Sequence, residues 1–160
     1  MNTTTTATPA GLESRVLTEG YGPGAWHGAD LKAALADVTA PLAFWRPGAG
    51  RHNIAEIALH HAYCARAVRA QISGTPAEPF VLEGDDWFEL SDEKTLSWQK
   101  VQATVDAQQR RLADTVADIE TGKTKSPISD TERFNLVLGI ACHAIYHAGQ
   151  VQLIKRLRGE

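Results

Sequence analysis

Apolar residues recur at three- and four-residue steps along four stretches of the chain, and no stretch shows sustained alternation of apolar and polar residues. This pattern predicts an all-α fold built from amphipathic helices. The first helix follows the glycine-rich segment 20–28 and continues until Pro47 ends it. Its apolar positions are Leu31, Leu35, Val38, Leu42 and Trp45.

The second helix has the strongest start signal in the chain. Asn53 is placed as its N-cap, and Glu56, three residues further on, completes a capping box. The apolar run continues to Ile72, and the Ser-Gly-Thr-Pro segment 73–76 ends the helix. Residues 76–90 then form a long connection, and such a connection usually crosses the end of a bundle or carries function.

Two further helices complete the pattern. Ser91 is predicted to cap the third helix, whose apolar residues continue from Trp98 to Ile119 at near-heptad spacing. The fourth helix starts after Asp130 and runs to the terminus. Four amphipathic helices of this length suit a single four-helix bundle.

The four helices leave the N-terminal segment outside the bundle. Residues 1–19 are predicted to be a flexible tail, because the segment begins with a polar, threonine-rich tract. Residues 20–160 form one domain. We expect neither a signal peptide nor a membrane span, since no positively charged leader and no unbroken apolar run of sufficient length is present.

Composition narrows the set of partners. The chain of 160 residues has 16 basic and 19 acidic residues and a net charge of −3. Its basic residues are scattered, except for Lys155, Arg156 and Arg158, which suit the C-terminal end of a helix dipole. This distribution argues against a nucleic-acid partner. Cys64 and Cys142 lie within apolar helical patterns, which predicts unpaired core thiols and a cytoplasmic protein.

Histidine is the residue type that suggests chemistry. The six histidines are His27, His52, His60, His61, His143 and His147. His143 and His147 are four residues apart, so both imidazoles leave the same face of the last helix. Their inward neighbours are mostly Ala, Ile, Leu and Val, and a buried imidazole without partners is costly. A metal ion shared by the two histidines resolves this cost.

One histidine of the second helix can complete such a site. His60 and His61 differ by about 100° around a helix, so at most one of them can face the pair. The apolar stripe through Ile57, Cys64 and Val68 is centred nearer His61, and the pattern alone slightly favours His61.

Three segments resemble the DinB/YfiT-like family of bundle metalloproteins. They are NIAEIALH at 53–60, HAIYHAGQV at 143–151 and AWHG at 25–28, and the resemblance covers about residues 20 to 157. In that family one histidine of the second helix and two of the last bind a divalent metal. The resemblance places the first of these ligands at His60 and the other two at His143 and His147, and we follow it over the apolar stripe.

The resemblance also implies a fold and an activity. Family members form a four-helix bundle with a variant up-and-down topology, are often homodimers, and in some cases catalyse metal-dependent thiol chemistry such as S-transfer or isomerisation. Three neutral imidazoles would leave the ion its full charge and an open position, which is typical of a catalytic site. The residues between the paired histidines, 144–146, include no glutamate, so a protease of the H-E-x-x-H type is disfavoured.

Other residues near the predicted site have two interpretations each. Gln150 either hydrogen-bonds a ligand histidine or is an ordinary polar helix residue. Cys64 is left outside the ligand set as a core thiol. Asp85, Asp86 and Trp87 either cover the site or lie in a solvated loop, and the loop is the simpler interpretation. We expect His27 and His52 to have structural and surface roles.

The sequence thus predicts a divalent transition metal as cofactor, with zinc or nickel favoured and iron or copper as alternatives. The expected partners are a small-molecule substrate, with a low-molecular-weight thiol as the candidate, and a second copy of the chain. The favoured function is a thiol-dependent S-transferase or isomerase. The alternatives are a metal-dependent hydrolase and a non-catalytic metal-binding or stress or DNA-damage response protein.

Overall fold

The computed structural model describes residues 11–159. These residues form six helices and no strand: α1 (Leu12–Gly20), α2 (Leu31–Leu35), α3 (Ala40–Ala43), α4 (Ile54–Ser73), α5 (Trp98–Glu120) and α6 (Asp130–Arg158). The predicted all-α class is confirmed.

The four longest helices share a core. α1 contacts α5 and α6, and α4 contacts the same two helices, whereas α2 packs on α6 and α3 on α4. One cluster of buried apolar side chains comes from the four long helices: Leu17, Ala65, Ile72, Leu112, Val116, Val137 and Ile140. A second, larger cluster adds residues of α2, α3 and the segment before α5. The up-and-down topology stays a prediction.

The two clusters meet at the middle of α4 and α6. On α4, Ala62 belongs to the larger cluster and Ala65 to the smaller one. On α6, Ala144 belongs to the larger cluster and Ile140 to the smaller one. The histidines of both helices therefore lie at the junction of the two halves of the core.

The predicted helix over residues 31–45 is wrong as a continuous element. The structure divides it into α2 and α3, although Leu31, Leu35, Val38 and Leu42 are all buried as the pattern indicates. The break has a steric cause: Pro41 cannot occupy a helix interior, but it fits the first turn of α3, where the structure places it.

The predicted tail over residues 1–19 is wrong for its second part, because residues 12–20 form α1. Gly11 offers no side-chain cap to α1, and the carboxylate of Glu120 instead accepts the backbone N–H of Glu13 at 2.7 Å. Arg133 of α6 pairs with Glu13 at 2.9 Å. Both partners are distant in sequence, so local patterning could not reveal this helix. Residues 1–10 lie outside the described residues.

The remaining helix boundaries follow their caps. α4 has the predicted Asn53–Glu56 capping box and ends at Gly74, whose φ of 70° is left-handed. α5 begins later than predicted, because Ser97 rather than Ser91 accepts the N–H of the third helical residue. α6 begins at Asp130 with a capping box formed by Ser129 and Glu132.

By length and composition, α6 is the one described helix apolar enough to cross a membrane. Its buried residues include Val137, Ala144 and Val151, and the helix packs against α1, α2 and α4. A helix that packs one face into a protein core also passes this test of length and composition. Cys142 on α6 is exposed, so the prediction that it is a core thiol is wrong; Cys64 is half-buried, and both cysteines are free as predicted.

Replacing Leu17 with Ala tests whether α1 belongs to the folded domain. Leu17 is only 3% exposed, so the variant should lower the free energy of unfolding by about 2–4 kcal/mol. Urea denaturation measures this change. The control is Leu12→Ala in the same helix, where the side chain is 71% exposed and the expected change is close to zero. Equal, small effects at both positions would show that α1 does not dock.

Candidate metal centre

The structure brings His60, His143 and His147 together. His60 lies on α4, and the other two lie one turn apart on α6. The Nε2 atom of His143 is 3.1 Å from Nε2 of His60 and 3.1 Å from Nε2 of His147. The three residues form a group whose ligand atoms all lie within 4.8 Å of one another and that could hold a metal ion.

Hydrogen bonds at the opposite ring nitrogens set the tautomers of two of these imidazoles. Nδ1 of His60 lies 2.8 Å from the carbonyl oxygen of Asp86, which can only accept. Nδ1 of His147 lies 2.6 Å from Oε1 of Gln150. In a neutral imidazole the proton is therefore on Nδ1, and Nε2 carries a free lone pair. Of the two interpretations of Gln150, this contact supports the one in which its side chain hydrogen-bonds a predicted ligand histidine.

His143 is oriented through His61. Nδ1 of His143 lies 3.1 Å from Nδ1 of His61, and Nε2 of His61 lies 3.1 Å from Oε1 of Gln109. The amide oxygen of Gln109 accepts from His61, so Nδ1 of His61 is unprotonated and accepts the Nδ1–H of His143. Nε2 of His143 is consequently also free of a proton.

His61 thus lies behind the three-histidine group rather than in it. It is fully buried and bonds to His143, while His60 makes the direct approach to the other two. The group thus contains His60, the residue that the resemblance favours, and its role as a metal ligand stays a prediction. The stripe identified the more buried residue correctly. His61 also contacts α6, but it meets Nδ1 of His143 and not the Nε2 side where the three-histidine group converges.

Burial keeps three imidazoles neutral: His61, which lies behind the group, and His143 and His147 within it. Together with the smaller effect of the neighbouring histidines, it lowers the pKa of His61 to about 3 and that of His143 to about 4. The pKa of His147 is lowered by the same burial. At neutral pH a metal ion would not have to displace protons from His143 or His147.

Three free lone pairs at this separation fit a divalent cation. Two nitrogens bound to one tetrahedral zinc ion lie about 3.3 Å apart, since each Zn–N bond is about 2.0–2.1 Å. Nε2 of His143 lies 3.1 Å from Nε2 of His60 and from Nε2 of His147, which is close to this value. All the ligand atoms of the group lie within 4.8 Å of one another. Without a cation or an extra proton, three lone pairs would face one another in a largely buried site, which is unfavourable.

The long connection before α5 contributes to the site through its backbone and one ring. Besides the Asp86 carbonyl, it supplies Trp87, whose indole lies between the rings of His60 and His52, at 3.9 and 3.8 Å between centroids. The side chains of Asp85 and Asp86 are exposed, as expected for a solvated loop. The segment nevertheless covers His60.

Glu56 anchors this connection to the start of α4. Its carboxylate accepts from the N–H of Leu90 at 2.9 Å and pairs with Arg46 and with Nδ1 of His52. Asn53 donates to the carbonyl oxygen of Leu90 at 2.6 Å. Burial alone would raise the pKa of Glu56, but the hydrogen bonds from Arg46, Leu90 and His52 outweigh it and hold this pKa below its usual range.

Cys64 is close to the site but not part of the three-histidine group. Its Sγ lies 3.8 Å from Nε2 and 4.0 Å from Nδ1 of His60. Similar distances to both nitrogens place the sulfur off the line of the Nε2 lone pair. Burial and the nearby Asp86 carboxylate raise the pKa of the thiol to about 11, so it is protonated at neutral pH.

Gln109 and the Asp86 carbonyl are the site residues that the sequence analysis missed. Gln109 is 6% exposed on α5, between Val105 and Leu112 of the apolar stripe. A polar residue within an apolar stripe is a signal that could have identified it. The Asp86 contact uses a backbone atom, for which no residue type gives a signal.

The comparisons with known proteins give one match. The sequence profile of the DinB superfamily matches residues 25–151, a range that includes all three histidines of the group and begins after α1. Searches of the curated proteins and of the solved structures find no match.

Alanine variants at His60 and His61 distinguish a metal ligand from a residue that orients one. We expect His60→Ala and His143→Ala to lose stoichiometric metal. His61→Ala should keep it, with affinity lowered about 10- to 100-fold, since loss of a hydrogen bond to a ligand has effects of this size. The measurement is zinc titration with elemental analysis of untagged protein, with His27→Ala as control. Full occupancy in His60→Ala together with loss in His61→Ala would contradict the geometry.

Acid should destabilise the metal-free protein. The pKa of His61 is about 3 in the folded state and 6.5 in the unfolded chain, so the unfolded state binds more protons below pH 6.5. The free energy of unfolding should fall as pH decreases from 6.5, by up to about 1.4 kcal/mol per pH unit from His61. His143 is half-exposed and contributes less. Urea denaturation between pH 7 and 5 measures the slope, which should be shallower in His61→Asn and unchanged in His27→Gln.

Proposed function

The chain belongs to the DinB superfamily, and we propose that it is a divalent-metal-dependent enzyme that activates a low-molecular-weight thiol for attack on an electrophile. His60, His143 and His147 are the proposed metal ligands. The observation that carries this proposal is the convergence of three Nε2 lone pairs, each fixed by a hydrogen bond at the opposite nitrogen.

The donor set suits a borderline transition metal. Three neutral imidazoles favour zinc or nickel, with iron and copper as alternatives, and disfavour magnesium or calcium, which prefer oxygen ligands. When bound, such an ion supplies a Lewis acid that lowers the pKa of a coordinated thiol or water.

The residues around the histidines favour a thiol over water as the nucleophile. A base beside the metal assists hydrolysis by taking a proton from the bound water, and the buried carboxylate of Glu56 is already engaged by Arg46, His52 and Leu90. Asp85 and Asp86 are exposed, and neither carboxylate belongs to the three-histidine group. A thiol needs no such base, because coordination alone favours the thiolate.

The second candidate function is non-catalytic metal binding. Its support is the burial of the proposed ligands: His60 is 6% and His147 3% exposed, which leaves access mainly past the half-exposed His143. A closed site of this kind would bind or sense a metal without a substrate. A role in a stress or DNA-damage response belongs to this candidate.

The assembly and the compartment are proposals of the same kind. We infer a homodimer from the family resemblance, and the exposed outer face of α6 supports it through Leu138, Cys142 and Tyr146. Sedimentation of the wild type and of Leu138→Glu tests it, with Ala113→Glu at an exposed position of α5 as control. A monomeric wild type would contradict it. Two free cysteines support a reducing, cytoplasmic location.

The reaction class can be tested with metal-loaded protein. Conjugation of glutathione, mycothiol or bacillithiol to a generic electrophile should require the metal and should fall to background in His143→Ala. Ester and amide substrates are assayed in parallel. Metal-dependent turnover of esters or amides without any response to thiols would favour the hydrolase. Metal binding without turnover of any substrate would favour the non-catalytic candidate.

A further inference from the structure

A groove of about 610 Å³ lies between the C-terminal half of α6 and the loop that precedes α4. Its apolar lining includes Ile57 of α4 and Leu153, Ile154 and Leu157 of α6. Leu153 and Leu157 are 58% and 60% exposed, although Val151 and Ile154 of the same helix are buried. A volume of this size is within the range of small-molecule sites.

The ionisable residues that line the groove are all basic. Arg51 and His52 are its only ionisable lining residues, and no acid lines it. Nδ1 of His52 is already bonded to Glu56, whereas the Arg51 guanidinium forms no ion pair with any acid of residues 11–159. An apolar wall with an unpaired guanidinium at its rim is complementary to a molecule that has an apolar part and one anionic group.

The groove is distinct from the metal centre. None of the three histidines lines it, and Gln150, which accepts from His147, separates the two. A ligand in the groove would reach the back of this amide rather than the Nε2 atoms.

From this complementarity we propose that the groove binds a free amphiphilic carboxylate, with its chain or ring against Leu153 and Leu157 and its carboxylate on Arg51. A cavity of about 610 Å³ favours a dissolved molecule over a membrane surface, since a dissolved molecule can be enclosed in it. This site goes beyond the proposed function and does not depend on a metal.

The test is titration of the full chain with octanoate, followed by amide chemical shifts and calorimetry. We expect saturable binding with shifts at Arg51, Gln150 and Leu153. Arg51→Gln should weaken binding about tenfold, the size of one charge-assisted hydrogen bond. Leu153→Asn should weaken it about fivefold through lost apolar contact. Arg110→Gln and Leu12→Asn are matched controls on exposed helix positions and should bind as the wild type does.

Three results would overturn the proposal. Equal affinity for octanoate and for uncharged 1-octanol would show that Arg51 does not bind the carboxylate. Loss of octanoate binding in His143→Ala would place the carboxylate at the metal centre instead. Binding to phosphatidylglycerol vesicles without binding to free octanoate would make the face a membrane contact. Because octanoate is expected to bind metal-free protein and His143→Ala alike, failure here is distinguishable from failure of the metal proposal.

Discussion

The buried imidazoles of α4 and α6 must each satisfy two ring nitrogens, and this requirement organises the centre of the protein. Asp86, Gln150 and the His61–Gln109 pair accept the Nδ1–H groups, which leaves the Nε2 lone pairs facing one another. The helices can approach closely enough because small residues, such as Ala144 and Ala148, flank the histidines of α6. Gly20 of α1 belongs to the same arrangement: a Cβ there would lie 2.8 Å from the Cβ of Ala144.

The start of α4 links helix formation to the site. The Asn53–Glu56 capping box satisfies the first backbone donors of α4, and the same two side chains hold Leu90 at the end of the long connection. Because Leu90 is fixed, Trp87 stacks on His60 and the carbonyl of Asp86 reaches its Nδ1. A local signal for a helix start therefore also positions a loop 30 residues further along, which local sequence rules do not describe.

The sequence predicts those parts of the structure that depend on local chemistry. The caps of α4, the apolar stripes and the i, i+4 spacing of His143 and His147 are of this kind, and all are found. The errors come from tertiary contacts. α1 is capped by Glu120, which follows it by more than 100 residues, and the choice between His60 and His61 depends on how α4 is rotated against α6. Two errors are exceptions, because they concern local signals. The apolar spacing concealed the break at Pro41, and Ser97 rather than the predicted Ser91 caps α5.

In the proposed metal centre, three imidazole nitrogens form the inner shell of one divalent ion, and Cys64 lies outside it. X-ray absorption spectroscopy of the zinc-loaded protein at neutral pH tests this most directly, because it separates nitrogen from sulfur neighbours by distance. We expect about three imidazole nitrogens at about 2.0–2.1 Å from the zinc, with a light atom completing the coordination. A sulfur neighbour at about 2.3 Å in protein free of added thiol would show that Cys64 is a ligand and would contradict it.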